Sequence, residues 1–189
     1  SSATSERGLD LREKALLSLI REAGALAQSA FIADAGGFEM KGPQDFLTVT
    51  DAAVEALIRE RLSQLFPDDG FGGEESGSVP GEAVWVVDPI DGTANFARRI
   101  PHYCISIAFA SGNEILLGAI YDPAHDELYF ARKSRGASRN GAAISVSSVF
   151  DPRSACVELG WSVRVPNATY LDVLAKILDA GANIRAQGP

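Results

Sequence analysis

Val84-Trp85-Val86-Val87-Asp88-Pro89-Ile90-Asp91-Gly92-Thr93-Ala94-Asn95-Phe96 is the stretch on which the reading of the chain turns. Its apolar start predicts a short buried strand, Ala83 to Val87, that ends at Asp88-Pro89. A carboxylate at the end of such a strand is costly to bury unless it is paired or ligates a metal. Pro89 fixes the chain direction. Asp91 follows closely, so both carboxylates can converge on one point across a tight turn. Gly92 permits a close backbone approach. Thr93 to Phe96 predicts a short helix whose first amides face the same point, and unpaired amides at a helix start hold phosphate oxygens.

Downstream, Cys104 to Ala110, Glu114 to Tyr121 and Glu127 to Ala131 are strand candidates. Ser111-Gly112-Asn113 and Asp122 to Asp126 are turn chemistry between them, so an antiparallel meander is expected. Asn140-Gly141 marks a further hairpin. Upstream, Leu9, Leu16, Leu17, Ile20, Ala23, Leu26, Ala27 and Phe31 recur at helical spacing. They predict one amphipathic helix from Leu9 to Asp34, ended near Gly36-Gly37, with a loop from Phe38 to Pro43. A second helix starts near Thr50, with Thr48 or Thr50 as N-cap and Asp51 in the first turn. Ala53, Val54, Leu57, Ile58, Leu62 and Leu65 form its stripe, and Pro67-Asp68-Asp69-Gly70 breaks it.

After Asp151-Pro152 the pattern changes to a strand (Ala155 to Leu159), a helix (Asn167 to Leu178, closed by Gly181) and a strand from Ala182. Strand, helix, strand suggests a parallel α/β layer. The expected class is therefore α/β. Residues 1–150 form an N-terminal α+β domain carrying the site, and 151–189 begin an α/β domain that stays incomplete.

The bulk properties narrow the function. With 189 residues, 46% hydrophobic and 22% charged, the chain can bury a sizeable core. No run approaches the roughly 18 apolar residues of a membrane helix, and the polar N-terminus lacks a signal core. A cytoplasmic location is the expectation, without membrane attachment. A formal charge of −8 argues against a bare nucleic-acid surface. Cys104 and Cys156 match no metal or redox motif and are expected in or near the core. His102 and His125 are expected to be structural or exposed, and Arg98-Arg99 to be a solvated pair. No Ser-His-Asp or Cys-His arrangement supplies a covalent nucleophile.

Two further acidic segments accompany the opening stretch: Asp45-Phe46-Leu47-Thr48-Val49-Thr50-Asp51 and Gly72-Gly73-Glu74-Glu75-Ser76. Each alone is ordinary. Thr48 to Asp51 is a helix cap, Gly73-Glu74-Glu75 a solvated loop, and Asp-Gly a turn. Together they offer hard oxygen ligands beside an anion cradle. All-oxygen sites suit Mg²⁺ or Mn²⁺ rather than Zn²⁺, and a bound cation would reconcile an acidic protein with an anionic substrate.

Asp88-Pro89-Ile90-Asp91-Gly92-Thr93-Ala94-Asn95-Phe96, continued by Pro101 and Ser106-Ile107-Ala108-Phe109, resembles the signature of the inositol monophosphatases. Thr48 to Asp51, Gly73 to Ser76, Gly136-Ala137, Asn140-Gly141 and Glu158-Leu159-Gly160 match further segments in order. The resemblance implies an αβαβα sandwich, usually a homodimer, that hydrolyses a phosphate monoester with two or three Mg²⁺ ions and is inhibited by Li⁺. It implies that Glu74, Asp88 and the Ile90 carbonyl bind one metal, and Asp88 and Asp91 a second. Thr93 and Asp51 would orient the water, with Glu74 assisting, and the Gly92 and Thr93 amides would receive phosphate. Asp91 would also touch a substrate hydroxyl, and Lys41 corresponds to a lysine near the metals. A further metal-binding aspartate, in a Trp-Asp pair, and a substrate-contacting helix beginning near Gly188 belong to the family's C-terminal part. Trp161 is followed by Ser162 and does not supply that aspartate.

The small phosphorylated polyol expected as substrate is inositol 1-phosphate, since Asn95-Phe96 favours that branch. The alternatives within the chemistry are fructose 1,6-bisphosphate, histidinol phosphate, NADP or 3′-phosphoadenosine 5′-phosphate. A non-catalytic regulator that keeps the fold, or a simple divalent-cation module, are the rivals outside it.

Overall fold

A computed structural model describes residues 3–33, 37–42 and 45–186. Helix α1 spans Glu6–Ala33, and a hairpin of β1 (Phe38–Gly42) and β2 (Asp45–Thr48) leads into α2 (Val49–Leu65). Strands β3 (Gly70–Gly73), β4 (Ser78–Val79) and β5 (Ala83–Asp91) follow, then the short helix α3 (Thr93–Ala97). The meander is β6 (Cys104–Ser111), β7 (Glu114–Asp122), β8 (Glu127–Arg132), β9 (Gly136–Arg139) and β10 (Ala142–Ile144). All but β1 and β2 of these strands join one eight-stranded sheet in the order β10-β9-β8-β7-β6-β5-β3-β4. Only the β3–β5 pair is parallel. The chain ends in β11 (Cys156–Glu158), α4 (Asn167–Asp179) and β12 (Asn183–Arg185), with β11 and β12 paired in parallel.

The period-2 alternation of the strands decides which face is dry. Trp85, Val87, Ile105, Ile107, Phe109, Leu117, Ala119 and Tyr121 form one apolar face. Leu16, Leu19, Ile20, Ala23 and Ala27 of α1 and Val54, Ile58 and Leu62 of α2 close the same core cluster. By length and composition α1 is apolar enough to cross a membrane, contrary to the sequence expectation. Its apolar stripe, however, belongs to this core.

Several boundaries differ from expectation. Residues 38–42 form a strand rather than a loop, because they pair with β2. The expected end of the first helix at Asp34 to Gly36 lies outside the described residues, as does Gly188. Strand β5 continues past Asp88 to Asp91, with an irregularity in its pairing to β6 between those two residues. Pro89 has no N–H to give to a ladder, and a bulge lets the strand pass it. Ala53 and Leu65 are exposed, so the dry face of α2 is narrower than its apolar stripe. Asn140 (φ 48°) and Gly141 (φ 81°) both take positive φ in the β9–β10 turn, as a type I′ hairpin requires. Cys104 is half-buried, as a near-core residue is, whereas Cys156 is exposed, which corrects the expectation for it; both are free thiols.

Candidate active site

Thr48 is the N-cap of α2, and Asp51 completes a capping box with it. The Thr48 amide donates to Asp51 Oδ2 at 2.9 Å, and the Thr48 hydroxyl donates to the same oxygen. The other oxygen, Oδ1, accepts from the Thr93 hydroxyl at 2.9 Å. The helix-cap reading of this aspartate therefore holds through one oxygen, and the other oxygen is engaged by Thr93. Asp51 is 2% exposed, so the carboxylate keeps this orientation without competition from bulk water.

Thr93 opens α3. Gly92 before it has φ 94°, a left-handed conformation, and a Cβ there would stand 3.0 Å from the His102 carbonyl oxygen. This turn places the Thr93 hydroxyl 2.9 Å from the Ile90 carbonyl as well as against Asp51. One hydroxyl proton thus faces two acceptors, and the oxygen lone pairs remain available to accept from a third group.

Asp88 lies out of phase with Trp85 and Val87 along β5, away from the helix-covered face. Its Oδ1 is the single buried side-chain polar atom among the described residues that lacks a hydrogen-bond partner. Burial, followed by the charges of Asp91, Glu74 and Asp51, pushes its carboxyl up to about 7 against the opposing Ile90 backbone hydrogen bond. Glu74, in the loop after β3, is raised by burial and then by Glu75, while Lys41 and Arg164 pull the other way. The structure thus gathers Asp51, Glu74, Asp88, Ile90, Asp91, Gly92 and Thr93 into one region. No three carboxylate, histidine or cysteine side chains among the described residues already meet at a single ion position.

The donor set fits a hard divalent cation. A buried carboxylate oxygen with no donor, surrounded by other carboxylates, is relieved by a proton or by a cation. Oxygen-only ligands select Mg²⁺, Mn²⁺ or Ca²⁺ among the common ions. Cys104 faces Asp91 across the β5–β6 pair, its Sγ 3.9 Å from Oδ2, and its thiol is held up near 12 by burial and by Asp91. Burial and the neighbouring carboxylates therefore favour the thiol form of this side chain.

Other expectations resolve as follows. The Lys41 ammonium lies 3.0 Å from both oxygens of Glu75, which ties the β1–β2 hairpin to the Glu74 loop. His102 is exposed, and the exposed His125 ring contacts Asp122 at 2.8 Å. Arg99 is not simply solvated: its guanidinium stacks over the Phe31 ring at 4.8 Å. Sequence reasoning passed over Glu55 and Arg59, which follow Asp51 at one-turn intervals on α2 and contact the Glu74 loop. A charged residue interleaved with the apolar stripe at Val54 and Ile58 was the available signal. It also passed over Arg164, for which no local pattern stands out.

Comparison with known proteins agrees with this fold. The chain is 33% identical over 174 residues to the Nus factor SuhB of Escherichia coli K12, covering 89% of this chain and 65% of that protein. It is 33% identical over 188 residues to an inositol-1-monophosphatase of Rhizobium meliloti, covering 94% and 71%. The solved extragenic suppressor protein suhB of Bartonella henselae superposes with a TM-score of 0.89 at 30% identity, over 93% of this chain and 70% of that one. A solved IMPase/NADP phosphatase complexed with Mg²⁺ and phosphate superposes with a TM-score of 0.82 at 25% identity, over 95% and 68%. The chain thus spans about two thirds of the length of these relatives. Residues 9–185 match the model of the inositol monophosphatase family, and the chain belongs to that family.

Proposed function

We propose that this chain carries the metal-binding and water-activating part of a Mg²⁺-dependent phosphomonoesterase whose substrate is inositol 1-phosphate. The observation that carries the reading is the unpartnered Asp88 oxygen beside the Thr93–Asp51 pair. Glu74, Asp88 and the Ile90 carbonyl hold one ion, and Asp88 with Asp91 a second; a third ion, or Mn²⁺ in place of Mg²⁺, is compatible with the same donors. Bound there, the ions neutralise phosphate charge and make water more acidic, which lowers a very high barrier. The rest falls to the chain's own groups. Asp51 Oδ1 accepts the Thr93 proton, so the Thr93 oxygen is turned to accept a hydrogen from the attacking water, with Glu74 on its other side. The amides of Gly92 and Thr93 receive phosphate oxygens. The water oxygen bonds to phosphorus as the P–O bond to the polyol breaks; one hydrogen of the water stays on the phosphate and the other ends on the departing polyol oxygen. Asp91 contacts a hydroxyl of that polyol.

Residues 1–150 act in this reading as the site-bearing domain, and 151–189 as the start of a second. A homodimer in the cytoplasm is part of the same proposal, tested by sedimentation and by fractionation. The named inositol-1-monophosphatase relative supports the choice of substrate. The test is phosphate release from inositol 1-phosphate by the 189-residue chain with Mg²⁺, with and without Li⁺. Release that requires Mg²⁺ and falls with Li⁺ is the expected result. Preferential release from fructose 1,6-bisphosphate, histidinol phosphate, NADP or 3′-phosphoadenosine 5′-phosphate would replace the substrate and keep the chemistry.

A second reading has its own observation: the E. coli relative bears the name of a Nus factor, not of a phosphatase. In that reading the fold serves partner binding. It predicts Mg²⁺-induced stabilisation without phosphate release from any of these substrates.

A further inference from the structure

We propose that Glu55 is a positioning residue that sets Glu74 for metal binding by gripping the two residues that follow it. The inference rests on the role proposed above for Glu74. Glu55 lies one helical turn after Asp51 and is 1% exposed. A carboxylate this deep is tolerated only where donors meet its oxygens. The Glu75 amide donates to Oε2 at 2.8 Å, the Ser76 amide to Oε1 at 2.7 Å, and the Ser76 hydroxyl to Oε1. All three donors come from the residues that follow Glu74. On its other side, Gly73 stands so close that a Cβ there would lie 2.5 Å from both the Glu55 carboxyl carbon and Oε1.

Arg59, one turn further on, donates from Nη1 to the Ser76 carbonyl at 3.0 Å and to its hydroxyl oxygen at 2.6 Å. The loop is therefore anchored to α2 at Glu75 and Ser76, with Gly73 packed against the Glu55 carboxyl, and the Glu74 carboxylate is left to the acidic cluster around Asp88. One face of α2 thus serves both halves of the site: Asp51 orients Thr93, and Glu55 orients Glu74. Both oxygens of Glu55 meet donors, so glutamine would turn an NH₂ group against an N–H and lose a strong contact.

The test is titration of Mn²⁺ into the full 189-residue chain, with the free ion followed by electron paramagnetic resonance. Glu55→Gln is expected to weaken binding about tenfold or more, as loss of a ligand-orienting partner does. Ser76→Ala, which leaves the buried carboxylate in place, moves affinity the same way by less. Adding Glu55→Gln to Glu74→Gln is expected to cost nothing more, because both act through one ligand. Faster hydrogen exchange at the Glu75 and Ser76 amides accompanies the loss. Wild-type affinity in Glu55→Gln, or a full extra loss in the double variant, overturns the inference while a weakened Glu74→Gln keeps the metal reading standing. A Glu74→Gln variant that binds Mn²⁺ like the parent overturns both. Should Glu55→Gln fail to fold, Ser76→Ala decides: unchanged affinity there overturns the proposal.

Discussion

Ionising Asp88 sets one more negative charge among Asp91, Glu74 and Asp51, with an oxygen that no donor in the fold meets. The sign of the resulting pH dependence follows. The folded-state value, about 7, lies above the usual 3.8, so the folded chain holds this proton more tightly than the unfolded chain. Stability then falls as pH rises from about 4 to about 7, and the full cost is present above that window. In a chelator, Asp88→Asn is expected to melt higher than the parent at pH 8 and to lose that advantage at pH 4. Added Mg²⁺ should raise the melting temperature of the parent and not of the variant. Two superimposable melting curves at pH 8 would sink this account of Asp88. Thr93 makes a separate prediction. Thr93→Ala removes the hydroxyl that bonds Asp51 and that is proposed to orient the water, and kcat should fall by about 10²–10⁴, the usual contribution of a positioned proton acceptor. Mn²⁺ affinity should stay near the parent value, since the Thr93 side chain is assigned no metal contact.

At the scale of elements, two buried guanidinium groups tie α1 to the rest, and they are not equivalent. Arg12 meets Asp69 through two bonds of 2.8 and 2.7 Å, with both side chains buried. Trp85 Nε1 donates to the same carboxylate at 2.9 Å, which joins α1, the α2–β3 loop and β5. Arg132 of β8 is also buried but faces Glu6, Asp10 and Glu13 of α1, of which Glu6 and Asp10 are largely exposed. Asp69→Ala strands a buried cation and should cost about 3–5 kcal/mol. Arg132→Ala removes the buried charge itself and leaves carboxylates that water can reach, so it should cost less. Denaturant unfolding of the two variants measures the order, and a larger loss for Arg132→Ala would contradict this ranking. Asp69 lies in the segment after α2, next to the strand that delivers the Glu74 loop, so this anchor supports the site from behind.

Across the whole molecule, the helix-covered sheet and the β11–α4–β12 unit are joined by residues 145–150, which form neither helix nor strand. Val146 and Phe150 there are 96% and 94% exposed. In α4, Leu171 and Leu178 remain open, whereas the core closed by α1 and α2 contains fully buried side chains. Exposed backbone without ladder or helix bonds is where proteases cut first. Limited digestion with an elastase-type enzyme is therefore expected to cleave within 145–150 and leave a resistant fragment ending near Ile144. First cleavage inside the β6–β8 meander would show that cohesion is distributed differently.

The long helices, α4, β11, β12 and the run from β5 to β8 were readable from the sequence, because apolar period and turn residues are local properties, whereas β2, β3 and β4 were not. The list of residues around Asp88 was readable too, through the family signature. The strand character of residues 38–42 was not readable, since it exists only through pairing with β2. Nor was the passage of β5 beyond Pro89, which depends on its pairing with β6. Glu55 shows the same limit at the site. In sequence it is a charge beside an apolar stripe, and only the approach of the loop at 73–76 turns it into a buried acceptor. By itself, the sequence determined the helices, the longer strands and the chemical types expected at the site. Tertiary structure decided which oxygen of each carboxylate is already occupied and which, as at Asp88, still lacks a partner, because hydrogen-bond satisfaction is set by groups distant along the chain.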